Sequence, residues 1–233
     1  MANIKYILKS LLISIAIIVV LFIGSLQLII FNDALFKWHY ETHQITETTH
    51  MTIPDLMDVT HQLLDYIKDK EDHMVIESKI DGINQEVFGE REKAHMVDVK
   101  NLYIRARNLQ WLALLLLIAF TGYGLTKSKM MFSKTLLHIR YVMPFLLASM
   151  IGIGILFATD FNKYFTIFHK MFFSNDLWLL DPKTDIMINM VPEVYFYTVV
   201  MMSLLIFLVG MIITVISVTV IGKRLIADIN PAE

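Results

Sequence analysis

Residues 90–125 read EREKAHMVDVKNLYIRARNLQWLALLLLIAFTGYGL, and this stretch changes character half-way along. Its first half, Glu90–Arg107, is dense in charge and holds neither Gly nor Pro, whereas Leu109–Leu125 holds no Asp, Glu, Lys or Arg. A bilayer core takes about 20 helical residues, with about 17 as the lower limit, so the apolar half is long enough to cross it. Nothing between the halves breaks a helix. The pattern predicts one long helix whose apolar half lies in the membrane and whose charged half stands at or above the outer surface.

Three further runs have the same character: Leu11–Phe31, Tyr141–Ala158 and Tyr195–Ile221, each without an internal charge. Together they account for a composition of 56% hydrophobic and 18% charged residues over 233 positions. Soluble domains average about 45–50% and about 25%. The first run follows Lys5 and Lys9 but exceeds a signal-peptide core and has no small-residue cleavage site after it, so it reads as an uncleaved signal anchor. The fold class expected is an all-α membrane protein of four transmembrane helices with a mixed α/β extracellular cap. The expected layout is a tail and first span over 1–31, an outer segment over 32–107 and a second span over 108–126. A cytoplasmic loop (127–140), a third span (141–158), a second outer segment (159–194), a fourth span (195–222) and a cytoplasmic tail (223–233) follow.

Orientation comes from the cations. Lys5, Lys9, Lys127, Lys129, Lys134, Arg140, Lys223 and Arg224 flank the spans on one side, against two acids there; the two outer segments carry twelve basic and twenty acidic residues. The positive-inside rule places the eight cations in the cytosol with both termini. The net charge of −2 is thus +6 inside and −8 outside, and offers no basic surface for nucleic acid. Seven of the eight histidines (His39, His43, His50, His61, His73, His95 and His169) fall outside.

Within 32–107, Trp38–His50 is rich in Tyr, Thr and His and reads as an extended strand. Thr52-Ile-Pro-Asp55 forms a capping box opening an amphipathic helix with Leu56, Thr60, Leu63, Leu64 and Ile67 on one face. Short β pieces are expected from His73 to Phe88 around the turn Asp81-Gly82. On the charged helix, Arg91, His95, Asp98 and Leu102 share a stripe, so Asp98 is placed to orient or charge-stabilise the His95 imidazole, the alternative being a solvated or structurally paired histidine. In 159–194, aromatics alternate with hydrogen-bonding groups as at a headgroup layer, and His169 is an ionisable group in an otherwise apolar stretch.

The chain has no cysteine, which removes disulfides, thiol nucleophiles and cysteine zinc sites. No G-x-S-x-G, Walker A, G-x-G-x-x-G or H-E-x-x-H motif is present. His39 and His43 would pinch a metal on a helix, but on a strand they lie about 13 Å apart at roughly 3.3 Å per residue, so no metal site is expected. Three functions remain open from the residues alone: an acyl-transferring enzyme; an extracytoplasmic lipid hydrolase with Ser174 as nucleophile; and a non-enzymatic metal-sensing or accessory protein using the His-rich 38–73 stretch.

Leu63-Leu-Asp-Tyr66, Phe88-Gly-Glu-Arg-Glu-Lys-Ala-His-Met-Val-Asp-Val-Lys100, Phe168-His169 through Asn175-Asp-Leu-Trp178, and Pro192-Glu193 together resemble the lipoprotein intramolecular transacylase (Lit) family of Gram-positive bacteria. The resemblance implies a bacterial cell-membrane acyltransferase with no cofactor, an active site at the boundary of cap and membrane, and catalytic histidines falling on His95 and His169. It implies a diacylglyceryl-modified lipoprotein as substrate, presented in membrane lipid. The sn-2 acyl chain moves to the α-amino group of the substrate's N-terminal cysteine, giving an N-acyl lyso-form. Ester-to-amide exchange is downhill and needs no ATP, and donor and acceptor share one molecule, so no covalent acyl carrier is required. Imidazole, with a pKa of about 6.5, suits removal of a proton from an α-ammonium of pKa about 7.7–8.0. His95 is favoured as the base because Asp98 is its neighbour. Asn175, Asp176 and Trp178 support the site, Asn175 as an oxyanion donor, and Tyr164, Phe165, Phe168, Phe172, Phe173 and Trp178 would confine the reactants and exclude water.

Overall fold

A computed structural model describes residues 2–229; Met1 and the end of the expected cytoplasmic tail, 230–233, lie outside it. Among the described residues the order is α1 (Ala2–Ile30), α2 (Asp33–Thr42), α3 (Ile45–Thr49), α4 (Ile53–Ile67), β1 (Glu77–Ile80), β2 (Ile83–Glu86), α5 (Glu90–Lys127), α6 (Lys129–Thr159), α7 (Phe161–Phe172), α8 (Ile186–Met190) and α9 (Glu193–Ile229). Helices α1, α5, α6 and α9 are long and apolar enough to cross a membrane. Only 11–28% of their most apolar windows is buried inside the protein. Side chains such as Leu112, Leu115, Ile118, Phe145 and Ile213 are exposed, and hydrocarbon is the solvent that tolerates such faces.

The chain divides into two units. Among the described residues the first comprises 2–26, 107–158 and 202–229. Its core joins Ile13 of α1, Phe132, Leu136, Ile139 and Met143 of α6, and Phe207, Met211 and Val218 of α9. Small residues let the helices approach, as lipid-embedded helices require. A Cβ on Gly124 would meet Phe132 Cβ at 2.7 Å, and the Ser133 hydroxyl donates to the Gly222 carbonyl at 2.7 Å. Residues 127–140, expected as a loop, are helical from Lys129 onward.

The second unit comprises residues 27–106 and 159–201. Its core gathers Leu35, Phe36 and Tyr40 of α2, Leu56, Val59, Leu63 and Leu64 of α4, Ile76, Val87 and Phe88 around the hairpin, Met96 of α5, Met187 and Met190 of α8, and Tyr195 and Val199 of α9. The hairpin pairs Glu77 with Glu86 and Ile80 with Ile83 in antiparallel register, with Asp81-Gly82 at positive φ in the turn. Helix α4 starts where expected: the Thr52 hydroxyl accepts from the Asp55 amide at 3.3 Å.

The strand expected over Trp38–His50 is not formed. Asn32 caps α2 by accepting the Leu35 amide at 3.1 Å, and Leu35, Phe36, His39 and Tyr40 then bury one face at helical spacing. Burial of that face outweighs the weak β preference of Thr and Tyr. His39 and His43 are therefore one turn apart, with ring centroids 4.7 Å apart, and the separation that argued against a shared ligand no longer holds. Among the described residues no group of three His, Asp or Glu side chains is arranged to hold a metal ion.

Candidate active site

The site is built from two segments of the second unit. Helix α5 carries His95 in its second turn, before the membrane run that begins at Leu109. Gly89 and Glu92 start that helix: the Gly89 amide donates to Glu92 Oε2 at 2.6 Å, the reciprocal half of a capping box. Glu92 is 1% exposed and its other oxygen accepts the Met187 amide at 2.7 Å. One carboxylate thus ties the N-terminus of α5 to that of α8 through backbone N–H groups, a favourable place for negative charge. Burial, with Asp185 nearby, pushes its pKa above the ordinary carboxyl range.

Helix α7 is capped by Asp160, whose side chain accepts the Lys163 amide at 3.2 Å. It turns His169 inward while Ile167, Phe168, Met171 and Phe172 remain exposed. The His169 and His95 rings come within 6.2 Å of each other, centroid to centroid, and both residues are buried. His169 lies in an aromatic cage of Phe165 at 4.2 Å, Trp178 stacked at 4.8 Å, Phe168 at 5.4 Å and Phe173 at 5.6 Å. Phe173 also meets the His95 ring edge-on at 5.4 Å. Of the other expected pocket residues, Phe172 packs on Phe168 at 4.8 Å and is exposed, and Tyr164 is half-buried with the Lys163 ammonium over its ring.

Hydrogen bonding makes the two imidazoles different. His169 Nδ1 is 2.7 Å from the Phe165 carbonyl. A carbonyl only accepts, so Nδ1 carries the hydrogen and Nε2 presents a lone pair. His95 Nδ1 is buried and has no hydrogen-bond partner among the described residues. Burial lowers both pKa values: His95 falls to about 4, with the neighbouring His169 lowering it further and Asp98 opposing, while in His169 the Phe165 carbonyl opposes burial. Both rings are neutral near pH 7.

The loop after α7 is fastened to α5. Asp98 Oδ2 accepts from Asn175 Nδ2 at 2.8 Å, and Asn175 Oδ1 accepts the Leu177 amide at 3.0 Å. Asp98 therefore acts on His95 through its charge, while its carboxylate accepts the hydrogen bond of Asn175. Arg91 donates to the Asp176 carbonyl and, at 3.2 Å, to the Leu179 carbonyl. The Asp176 side chain is exposed. Ser174 is exposed too, and the bonded nitrogen of His169 faces Phe165 rather than the serine hydroxyl.

A family model described as lipoprotein intramolecular transacylase Lit matches residues 11–196. The chain belongs to the Lit family. No curated protein sequence matches it significantly. An in meso structure of the membrane integral lipoprotein intramolecular transacylase Lit from Bacillus cereus superposes with a TM-score of 0.77 at 23% identity, over 95% of this chain and 98% of that one. A histidine-to-alanine variant of the same Bacillus cereus protein gives 0.74 at 23% identity, over 96% of each chain. At that identity these likenesses show a shared fold. Membership in Lit makes the chain a multi-pass membrane acyltransferase acting on lipoproteins.

Glu92, Arg91 as a clamp on the 176–179 loop, and the Phe165 carbonyl were not singled out as site groups by the sequence. A signal for Glu92 exists in Gly89-Glu90-Arg91-Glu92, where an acid three residues after a helix start is a capping position. Its second bond, to Met187, and the Phe165 carbonyl leave no mark in a residue pattern.

Proposed function

We propose that the chain moves the sn-2 acyl chain of a diacylglyceryl lipoprotein to the α-amino group of the substrate's N-terminal cysteine, by acid/base catalysis from His95 and His169. The observation that carries this reading is the meeting of two neutral, buried imidazoles in one aromatic cage, with no thiol or elbow serine beside them. The neutral amine attacks the ester carbonyl. His169 Nε2, whose tautomer the Phe165 carbonyl fixes, takes the proton from the attacking nitrogen as the tetrahedral intermediate forms. The bond from carbonyl carbon to glycerol oxygen then breaks, and that oxygen receives a proton from the imidazole pair. The amide and a free sn-2 hydroxyl result, with no net gain or loss of protons. Asp98, whose charge acts on His95, stabilises the positive charge that the imidazole pair carries between the two proton transfers. Asn175 has one amide hydrogen committed to Asp98 and a second for the oxyanion. Phe165, Phe168, Phe173 and Trp178 hold amine and ester together and keep hydrolytic water out.

The positive-inside distribution supports cytosolic termini and a site on the outer side, where the substrate's lipid anchor lies. The test compares wild type, His95→Ala and His169→Ala in membranes supplied with diacyl lipoprotein. Transacylation leaves the mass unchanged, so the product is read from fragmentation that locates the acyl group on the cysteine nitrogen. Each variant is expected to lose about 10²–10⁴-fold in rate. Full conversion by both would remove the histidines from catalysis.

A further inference from the structure

Arg91 and Asp98 stand four residues before His95 and three after it on α5, on the stripe that neighbouring turns of a helix share. Both reach the segment between α7 and α8. Asp98 accepts from Asn175 Nδ2 at 2.8 Å. Arg91 spans the turn that follows: Nη2 donates to the Asp176 carbonyl, and Nε donates to the Leu179 carbonyl at 3.2 Å. The Leu179 amide also donates to the Asp176 carbonyl at 3.1 Å, so the guanidinium holds both ends of a turn that closes on itself. A rigid planar fork suits two fixed acceptors in this way, where an ammonium is a point charge.

Trp178 lies inside that turn. Its indole stacks on the His169 imidazole, with centroids 4.8 Å apart and planes 29° apart. The Phe165 carbonyl fixes which nitrogen of His169 carries the hydrogen, but one bond leaves the ring free to tilt about it, and the indole face removes that freedom. Little else keeps Trp178 in place. Residues 173–185 form neither helix nor strand, and Trp178 is only half-buried. Segments with few buried contacts open locally at low cost, so the hydrogen bonds at the ends of the turn carry the restraint.

We propose that Arg91 is a positioning residue for the reaction: by holding the carbonyls on either side of Trp178 it keeps the indole stacked on His169. The orientation of one imidazole is then set from the helix that carries the other. The inference rests on the acid/base role of His95 and His169. It also explains why an exposed arginine one turn from His95 spends its donors on the backbone of another segment.

The test measures kcat and KM on diacyl lipoprotein for the full chain as wild type, Arg91→Ala, Trp178→Ala and the double variant, with His95→Ala and His169→Ala beside them. Arg91→Ala is expected to lose about 10²-fold in kcat, the cost of misplacing a reacting group by an ångström, with KM unchanged. Because Arg91 is exposed, the melting temperature in detergent is expected to stay at the wild-type value. Trp178→Ala is expected to lose a similar factor, and the double variant to be no slower than Trp178→Ala alone. Independent effects would instead multiply to about 10⁴-fold. Full kcat in Arg91→Ala, a loss confined to KM, a melting temperature that falls with activity, or multiplying effects would overturn the positioning role while leaving the histidine chemistry intact. Full activity in both histidine variants would overturn the reading on which it rests.

Discussion

His39, His95 and His169 are buried histidines whose partners set different states. His169 has its proton fixed by a carbonyl, while among the described residues neither His39 Nε2, beside the Tyr195 ring, nor His95 Nδ1, beside the His169 ring, has a hydrogen-bond partner. His39 and His95 share one consequence. Their folded pKa values lie near 4, below the 6.5 of the unfolded chain, so between those values the unfolded chain binds protons that the folded one does not. The stability they contribute is complete above about pH 6.5 and is lost as pH falls towards 4. The melting temperature in detergent is expected to decline across that window, and His39→Gln is expected to flatten the decline; an unchanged pH profile in that variant would place the titrating group elsewhere.

Among the elements, α5 and the α7–α8 segment each bring one histidine, and Glu92 fastens one to the other. Among the described residues Glu92 makes no ion pair; both its oxygens accept backbone N–H groups. Glu92→Gln keeps the size but turns an NH2 group towards one of those donors. The loss is about 1–3 kcal/mol of stability. Turnover is expected to fall by about 10²-fold if His95 shifts by an ångström, with KM little changed, because the residue touches no substrate. A larger effect on KM than on turnover would count against a positioning role. Elements also differed in how well they could be read. Helix α4, the hairpin and continuous α5 follow from local signals, the Thr52 cap, Asp81-Gly82 and the absence of breakers in 90–107. Helix α2 does not, because Thr and Tyr carry a strand preference that only the burial of Leu35, Phe36, His39 and Tyr40 overrides. At the site, the two histidines were legible from family motifs, and the aromatic cage in part. The bond that Asn175 donates to Asp98 was not, since spacing along α5 shows Asp98 only its own helix.

For the whole molecule, the charges are segregated: eight cations and two acids lie on one side of the spans, and twelve cations and twenty acids on the other. Its topology is open to a direct test because the chain has no cysteine. Asn84→Cys, on the exposed strand β2, is expected to react with a membrane-impermeant maleimide on intact cells. Ser128→Cys, between α5 and α6, is expected to react only after the membrane is opened; the reverse pattern would invert the orientation. The four spans, the acid-rich segments between them and a pair of neutral imidazoles suit a reaction that needs no energy source and has its acceptor built into the substrate. The most direct measurement gives the purified chain a synthetic diacylglyceryl lipopeptide with a deuterated sn-2 chain and an unlabelled sn-1 chain. The deuterated chain is expected as an amide on the N-terminal cysteine, with no fatty acid released. An unlabelled amide, or deuterated fatty acid free in solution, would mean that the site does other chemistry.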